Sequence, residues 1–194
     1  LCNTAMADVV NADDQNSGGE AAASGSVSSG FPDVPAVAPY AEAVKTLSEA
    51  GIIQGDTSGN FNPDRTVTRA QAAAFLCRMM GIGESSKAKK ITKFTDVPES
   101  YWASGYIAAI AEKGVISGYA DGSFKPDSPV TCQQLLKMLV CAWGWKEYAE
   151  NCGGWPNGYV AVANEYGYTK NTSQTVTANA TRSTVAMYIY NTMY

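Results

Sequence analysis

Apolar residues recur at helical spacing in paired stretches along this chain, each pair separated by a polar loop marked with Gly and Pro. In the first pair, Tyr40, Val44 and Leu47 fall on one face and predict a helix that Gly51 ends. Ile52 and Ile53 form a short apolar plug. Gly55, Gly59, Asn60, Asn62 and Pro63 then mark a tight loop in which Phe61 is the anchor. A second helix follows, with an apolar face through Ala72, Phe75, Leu76 and Met79 and an end near Gly81. Its start is written in Thr68-Arg69-Ala70-Gln71. Thr68 predicts an N-cap, Gln71 can reach back to the Thr68 N–H to complete a capping box, and Val67 suits a hydrophobic staple.

The pattern then returns in register. Phe94, Asp96 and Val97 answer Phe31, Asp33 and Val34. Gly114, Gly118, Gly122, Phe124, Pro126, Asp127, Val130 and Thr131 answer Gly51, Gly55, Gly59, Phe61, Pro63, Asp64, Val67 and Thr68. Every offset is 63. Chance does not hold such a register, so the chain contains a true internal repeat. A third copy is degenerate: Gly158-Tyr159 answers Gly105-Tyr106, and Thr181-Arg182 answers Thr68-Arg69. Its loop is shortened, and 171–180 has no Gly, Pro or Phe anchor. Val185, Tyr188 and Ile189 line its last helix. An atypical terminal copy is expected where one repeat caps an array. The predicted units are 31–83, 94–146 and 153–194.

Residues 1–30 are expected to lie outside the fold. Ala5-Met6-Ala7 has the small-x-small form of a signal-peptidase site, and the Ser/Gly/Ala-rich stretch after the acidic 8–14 segment predicts a flexible linker. Lys87, Lys89, Lys90 and Lys93 make a basic connector, read as solvated.

Composition narrows the chemistry. The 194 residues are 45% hydrophobic and 16% charged, with net charge −4, which argues against a general nucleic-acid or anionic-membrane binder. Any anion must be held by placed donors rather than by an overall field. The chain has no histidine, which removes Ser-His and Cys-His nucleophiles and imidazole zinc sites. No run of about eighteen apolar residues exists to span a bilayer. The five cysteines include no CxxC pair. Cys77, Cys132 and Cys141 read as small buried hydrophobes, and Cys141 and Cys152 are candidates for a bridge. Asp56, Asn60, Asn62 and Asp64 do not fit the EF-hand order, so a turn is the better reading. No acid–base pair stands beside a nucleophile, and we expect neither an enzyme nor a cofactor or metal.

The candidate chemistry sits at the second-helix starts. An Arg at the first helical position, beside amides without intrahelical partners, suits an anion. Arg69 and Arg182 hold that position. Repeat two has Cys132 there, and a thiol cannot supply a bidentate fork.

The string Phe94-Thr95-Asp96-Val97, Trp102-Ala103, the run from Gly114 to Pro126, and Val67-Thr68-Arg69-Ala70 resembles the S-layer homology repeat over about residues 31–194. The resemblance implies a mainly α fold in which three helix–loop–helix repeats pack as a pseudo-threefold helical bundle. It also implies an exported protein held non-covalently on the cell wall or surface layer. The implied ligand is a secondary cell-wall polysaccharide, often with pyruvylated N-acetylmannosamine, or a modified peptidoglycan, bound in grooves between repeats. A ketal-linked pyruvate is a carboxylate, which suits a helix start bearing an Arg. The candidate carbohydrate-binding residues are Arg69, Arg182, Trp102, Asp33, Asp96, Thr68, Gln71 and Gly122. Trp102 is the stacking candidate, with Tyr40 and Tyr159 at roughly matching places, while Asp33 and Asp96 can instead cap the helices after them. The Arg69 groove is the expected site. A competing expectation is self-association in a surface lattice or filament without glycan binding.

Overall fold

The computed structural model describes residues 30–83 and 86–194. The expected secretion-signal remnant and linker lie outside the described residues, apart from Gly30. Among the described residues the fold is helical: α1 (Ala41–Glu49), α2 (Arg69–Met79), α3 (Ser104–Glu112), α4 (Cys132–Ala142), α5 (Lys146–Asn151), α6 (Asn157–Glu165) and α7 (Arg182–Met193). Extended pairing among them is confined to three isolated antiparallel bridges, Thr66 with Thr181, Thr68 with Pro129 and Thr131 with Asn179. The class is mainly α, as the periodicity predicts. No helix among the described residues is long and apolar enough to cross a membrane.

Local chemistry sets the helix boundaries. Gly51 and Gly114 close α1 and α3 with φ of 70° each, the left-handed turn that glycine adopts without steric cost. The capping boxes on α2 and α4 are both formed: Thr68 with Gln71, and Thr131 with Gln134. Such a cap contributes about 1 kcal/mol. In α7, Thr181 accepts from the Thr184 amide, but Thr184 has no long arm to reach back. Gln174 supplies it from the loop, its Oε1 accepting from the Thr181 N–H at 3.3 Å.

Helices pair in a cycle: α2 packs on α3, α4 on α6, and α7 on α1. At the centre, the residues that precede the three Thr caps bond to one another. The Val67 N–H donates to the Ala180 carbonyl (3.0 Å), Ala180 to Val130 (2.8 Å), and Val130 to Val67 (2.9 Å). All three side chains are fully buried. The 153–194 segment therefore bonds to both of the segments before it.

Two further expectations change. The connector is not merely a solvated linker: its lysines are exposed, but Ser86 is buried and the Lys90 N–H donates to Ser104 Oγ on α3. Gly105 allows this, because a Cβ there would fall on the Ala88 and Ser86 carbonyl oxygens. Gly158 on α6 does the same for the Ala149 carbonyl. The bridge between Cys141 and Cys152 is not formed, since Cys141 is a free thiol whose pKa is raised by burial. Cys77 and Cys132 are fully buried, as expected. The short helix α5 has no counterpart in the sequence pattern.

Candidate functional site

The loops of the first two units are each tied down by an aspartate from the start of the same unit. Asp33 accepts from the Phe61 and Asn62 amides (2.8 and 2.6 Å), and Asp96 from those of Phe124 and Lys125 (2.7 Å each). Capping by Asp33 and Asp96 is thus overturned: the N-caps of α1 and α3 are Tyr40 and Ala103. The aspartates reach loops 28 and 29 positions away, each oxygen accepting one backbone amide. Asp96→Ala is expected to destabilise by about 2 kcal/mol, the scale of charge-assisted bonds to backbone amides; urea unfolding measures it. Asp56 likewise turns its carboxylate onto the Ser58 and Asn60 amides and the Asn62 amide group, as a turn residue does.

These loops feed the neighbouring helix starts. The Arg69 and Ala70 amides donate to the Ser128 and Pro126 carbonyls, Cys132 and Gln133 to Ala178 and Val176, and Arg182 and Ser183 to Arg65 and Pro63. The third amide of each helix goes to its Thr cap. The expectation of helix-start amides waiting for an anion is therefore corrected, because the next loop already occupies them.

The arginine side chains make the same crossing. Arg69 Nε donates to the Phe124 carbonyl (2.7 Å) and Nη2 approaches that of Ser117 (3.5 Å), with the guanidinium carbon 4.6 Å from the Phe124 ring centroid and 5.0 Å from that of Tyr119. Arg182 repeats this on Phe61 and Gln54, both at 2.6 Å. Burial lowers both guanidinium pKa values; nearby Tyr119 and Asp96 oppose this for Arg69. At the third interface Cys132 Sγ meets Gln174 Oε1 at 3.4 Å, and among the described residues no arginine crosses there.

Beside Arg69 a cavity of about 200 Å³ opens to solvent. Arg69, Ser117, Gly118, Tyr119, Gln134, Lys137 and Trp155 are among its walls, and among the described residues no carboxylate is. Arg69 Nη1 has no acceptor among the described residues. Lys137 Nζ lies 5.1 Å from the Trp155 ring centroid and 5.0 Å from that of Tyr159, and Lys125 Nζ is 4.3 Å from that of Tyr119. Trp155 is 44% exposed. Cations, aromatic faces and amide groups in one open groove suit an acidic sugar.

The other candidates disperse. Thr68 and Gln71 form the α2 cap, and Gly122 takes a left-handed turn with φ of 79°. Trp102 is half-exposed and packs against Tyr101 and Tyr106. Tyr159 offers no face to a sugar, being fully buried with its hydroxyl on Glu150. Sequence reasoning missed Tyr119, Gln134, Lys137 and Trp155. One signal was available: Trp155 follows Trp102 by 53 residues, the step from Gly105 to Gly158.

The family model for the S-layer homology domain matches residues 30–73 and 93–134. The chain is 37% identical over 140 residues to a cell surface protein of Thermoanaerobacter kivui, covering 71% of this chain and 18% of that one. It is 31% identical over 128 residues to a surface layer protein of Brevibacillus choshinensis, covering 66% and 11%. It is 34% identical over 87 residues to a cellulosome-anchoring protein of Acetivibrio thermocellus, covering 44% and 20%. The chain thus spans a fifth or less of the length of these relatives.

Proposed function

Because the chain carries S-layer homology domains over residues 30–73 and 93–134, we propose that it anchors an exported protein non-covalently to the bacterial cell wall by binding an acidic secondary cell-wall polysaccharide in the Arg69 groove. Residues 153–194 act as a degenerate third copy, completing a pseudo-threefold array. The place of action is the cell wall or surface, where the surface-layer relatives belong.

The observation that carries this reading is a groove lined by Arg69, Lys137 and two exposed rings, with no carboxylate, on a chain of net charge −4. A pyruvylated sugar fits the chemistry: its carboxylate meets the cations while a pyranose face lies on Trp155. The Arg182 groove is a poorer match. In the register of the repeats, Trp102 stands there for Trp155, but Asp56 replaces Tyr119, Ala74 replaces Lys137 and Asn62 replaces Lys125.

Sedimentation with sacculi of Thermoanaerobacter kivui tests the proposal. The parent protein is expected to pellet with intact sacculi and to stay in solution with sacculi stripped by hydrofluoric acid. Trp155→Ala should weaken binding roughly tenfold, the scale of one aromatic contact. A parent that ignores intact sacculi yet forms concentration-dependent oligomers without them would transfer the function to self-assembly. Undiminished binding by Trp155→Ala would move the site elsewhere.

A further inference from the structure

We infer that Lys137, rather than Arg69, is the residue by which this groove selects an acidic glycan over a neutral one. The inference rests on the proposed glycan binding and concerns what sets its charge preference.

The two cations stand in different situations. Arg69 is 4% exposed, gives Nε and Nη2 to the Phe124 and Ser117 carbonyls, and lies against two rings. Arg182 makes the equivalent crossing to Phe61 and Gln54. A guanidinium bonded in this way in both places is part of the wall between units, and it does not distinguish one groove from the other.

Lys137 is half-buried on α4, and its ammonium faces the Trp155 and Tyr159 rings. It makes no hydrogen bond or ion pair among the described residues. A ring face attracts the charge but accepts no conventional hydrogen bond, so the N–H donors stay available. The ammonium is a compact charge on a flexible stem and does not need the fork geometry of an arginine. It also borders the ring proposed to carry the sugar face, so one ligand can meet both.

The repeat register isolates this charge. The position answering Lys137 is Ala74 in α2, and in α7, counted from its Thr cap, it is Met187. The Arg position recurs in two units, whereas the ammonium occurs in one. The group recognised is a carboxylate, whether from a pyruvyl ketal on the polysaccharide or from another acidic residue of the wall.

The test compares the parent, Lys137→Gln and Lys137→Arg on three preparations of Thermoanaerobacter kivui sacculi. One is untreated, one has its ketals hydrolysed by mild acid, and one has its carboxylates amidated with carbodiimide and methylamine. Thermal melting of each variant controls for folding. The parent should bind untreated sacculi at least tenfold more tightly than amidated ones. Lys137→Gln should melt like the parent yet show a ratio near one, and Lys137→Arg should recover most of the preference. Loss of parent binding after mild acid assigns the carboxylate to a ketal, and retention assigns it to another acid; either supports selection by charge. A Lys137→Gln ratio equal to the parent's overturns the inference and leaves glycan binding standing. So does a parent that binds amidated and untreated sacculi alike. A parent that binds no sacculi at all removes the underlying function as well.

Discussion

Gly105→Ala should be among the most damaging single substitutions in the fold, costing about 3 kcal/mol or more and lowering Tm by roughly 6–12 °C. A Cβ at this point of α3 would fall on two backbone carbonyl oxygens, those of Ala88 and Ser86. Backbone cannot swing aside as a side-chain tip can, so the connector must lift from the helix. Lifting it would break the Lys90-to-Ser104 bond and uncover Ser86, which is 1% exposed. Gly114→Ala is the control. There φ is 70° but nothing lies within 4 Å of the added atom, so only the left-handed backbone penalty of about 1–2 kcal/mol applies. Paired thermal melts decide between steric and conformational causes. If Gly105→Ala melts with the parent, the connector does not sit on α3.

The second large effect is expected at Arg69. Arg69→Ala should lower stability by about 2–4 kcal/mol, read as a shift in the urea midpoint. The substitution leaves the buried Phe124 carbonyl without its 2.7 Å partner and empties the space against the Phe124 ring. Arg69→Lys keeps the charge but not the planar fork, so it should recover only part of the loss. If Arg69→Ala keeps full stability and loses only sacculus binding, Arg69 is a ligand contact rather than an interlock. Position 132 shows how such a replacement is accommodated: Cys132 sits where the arginine would be, and Gln174 closes the interface from the facing loop.

What could be read from the sequence is what neighbouring residues decide among themselves. The caps at Thr68 and Thr131, the glycine stops at Gly51 and Gly114, and the offset of 63 all lie within short windows, and each appears where expected. The destinations of long-range bonds were not legible. Nothing near Asp33 announces that it holds amides 28 and 29 positions away, and helix capping was the local alternative. Likewise, nothing in Thr68-Arg69-Ala70-Gln71 reveals that its free amides meet carbonyls from another unit. The groove was only half visible for the same reason. Arg69 comes from the start of α2, Tyr119 from a loop, Lys137 from α4 and Trp155 from the entry to α6. A one-dimensional pattern finds the member that repeats, Arg69, and misses Lys137, which does not.

The ring of bonds through Val67, Val130 and Ala180 governs the order of events in folding. An open solenoid can fold one repeat at a time and fray from its ends. Here Arg182 docks on Phe61 across 121 positions of sequence, and the Val67 amide waits for Ala180. The first unit is incomplete until the last has been synthesised, so the nascent chain cannot bank its stability in instalments. Long-range closure of this kind slows folding. In return each of the three described units is held by the other two, and loss of structure is expected to be all-or-none.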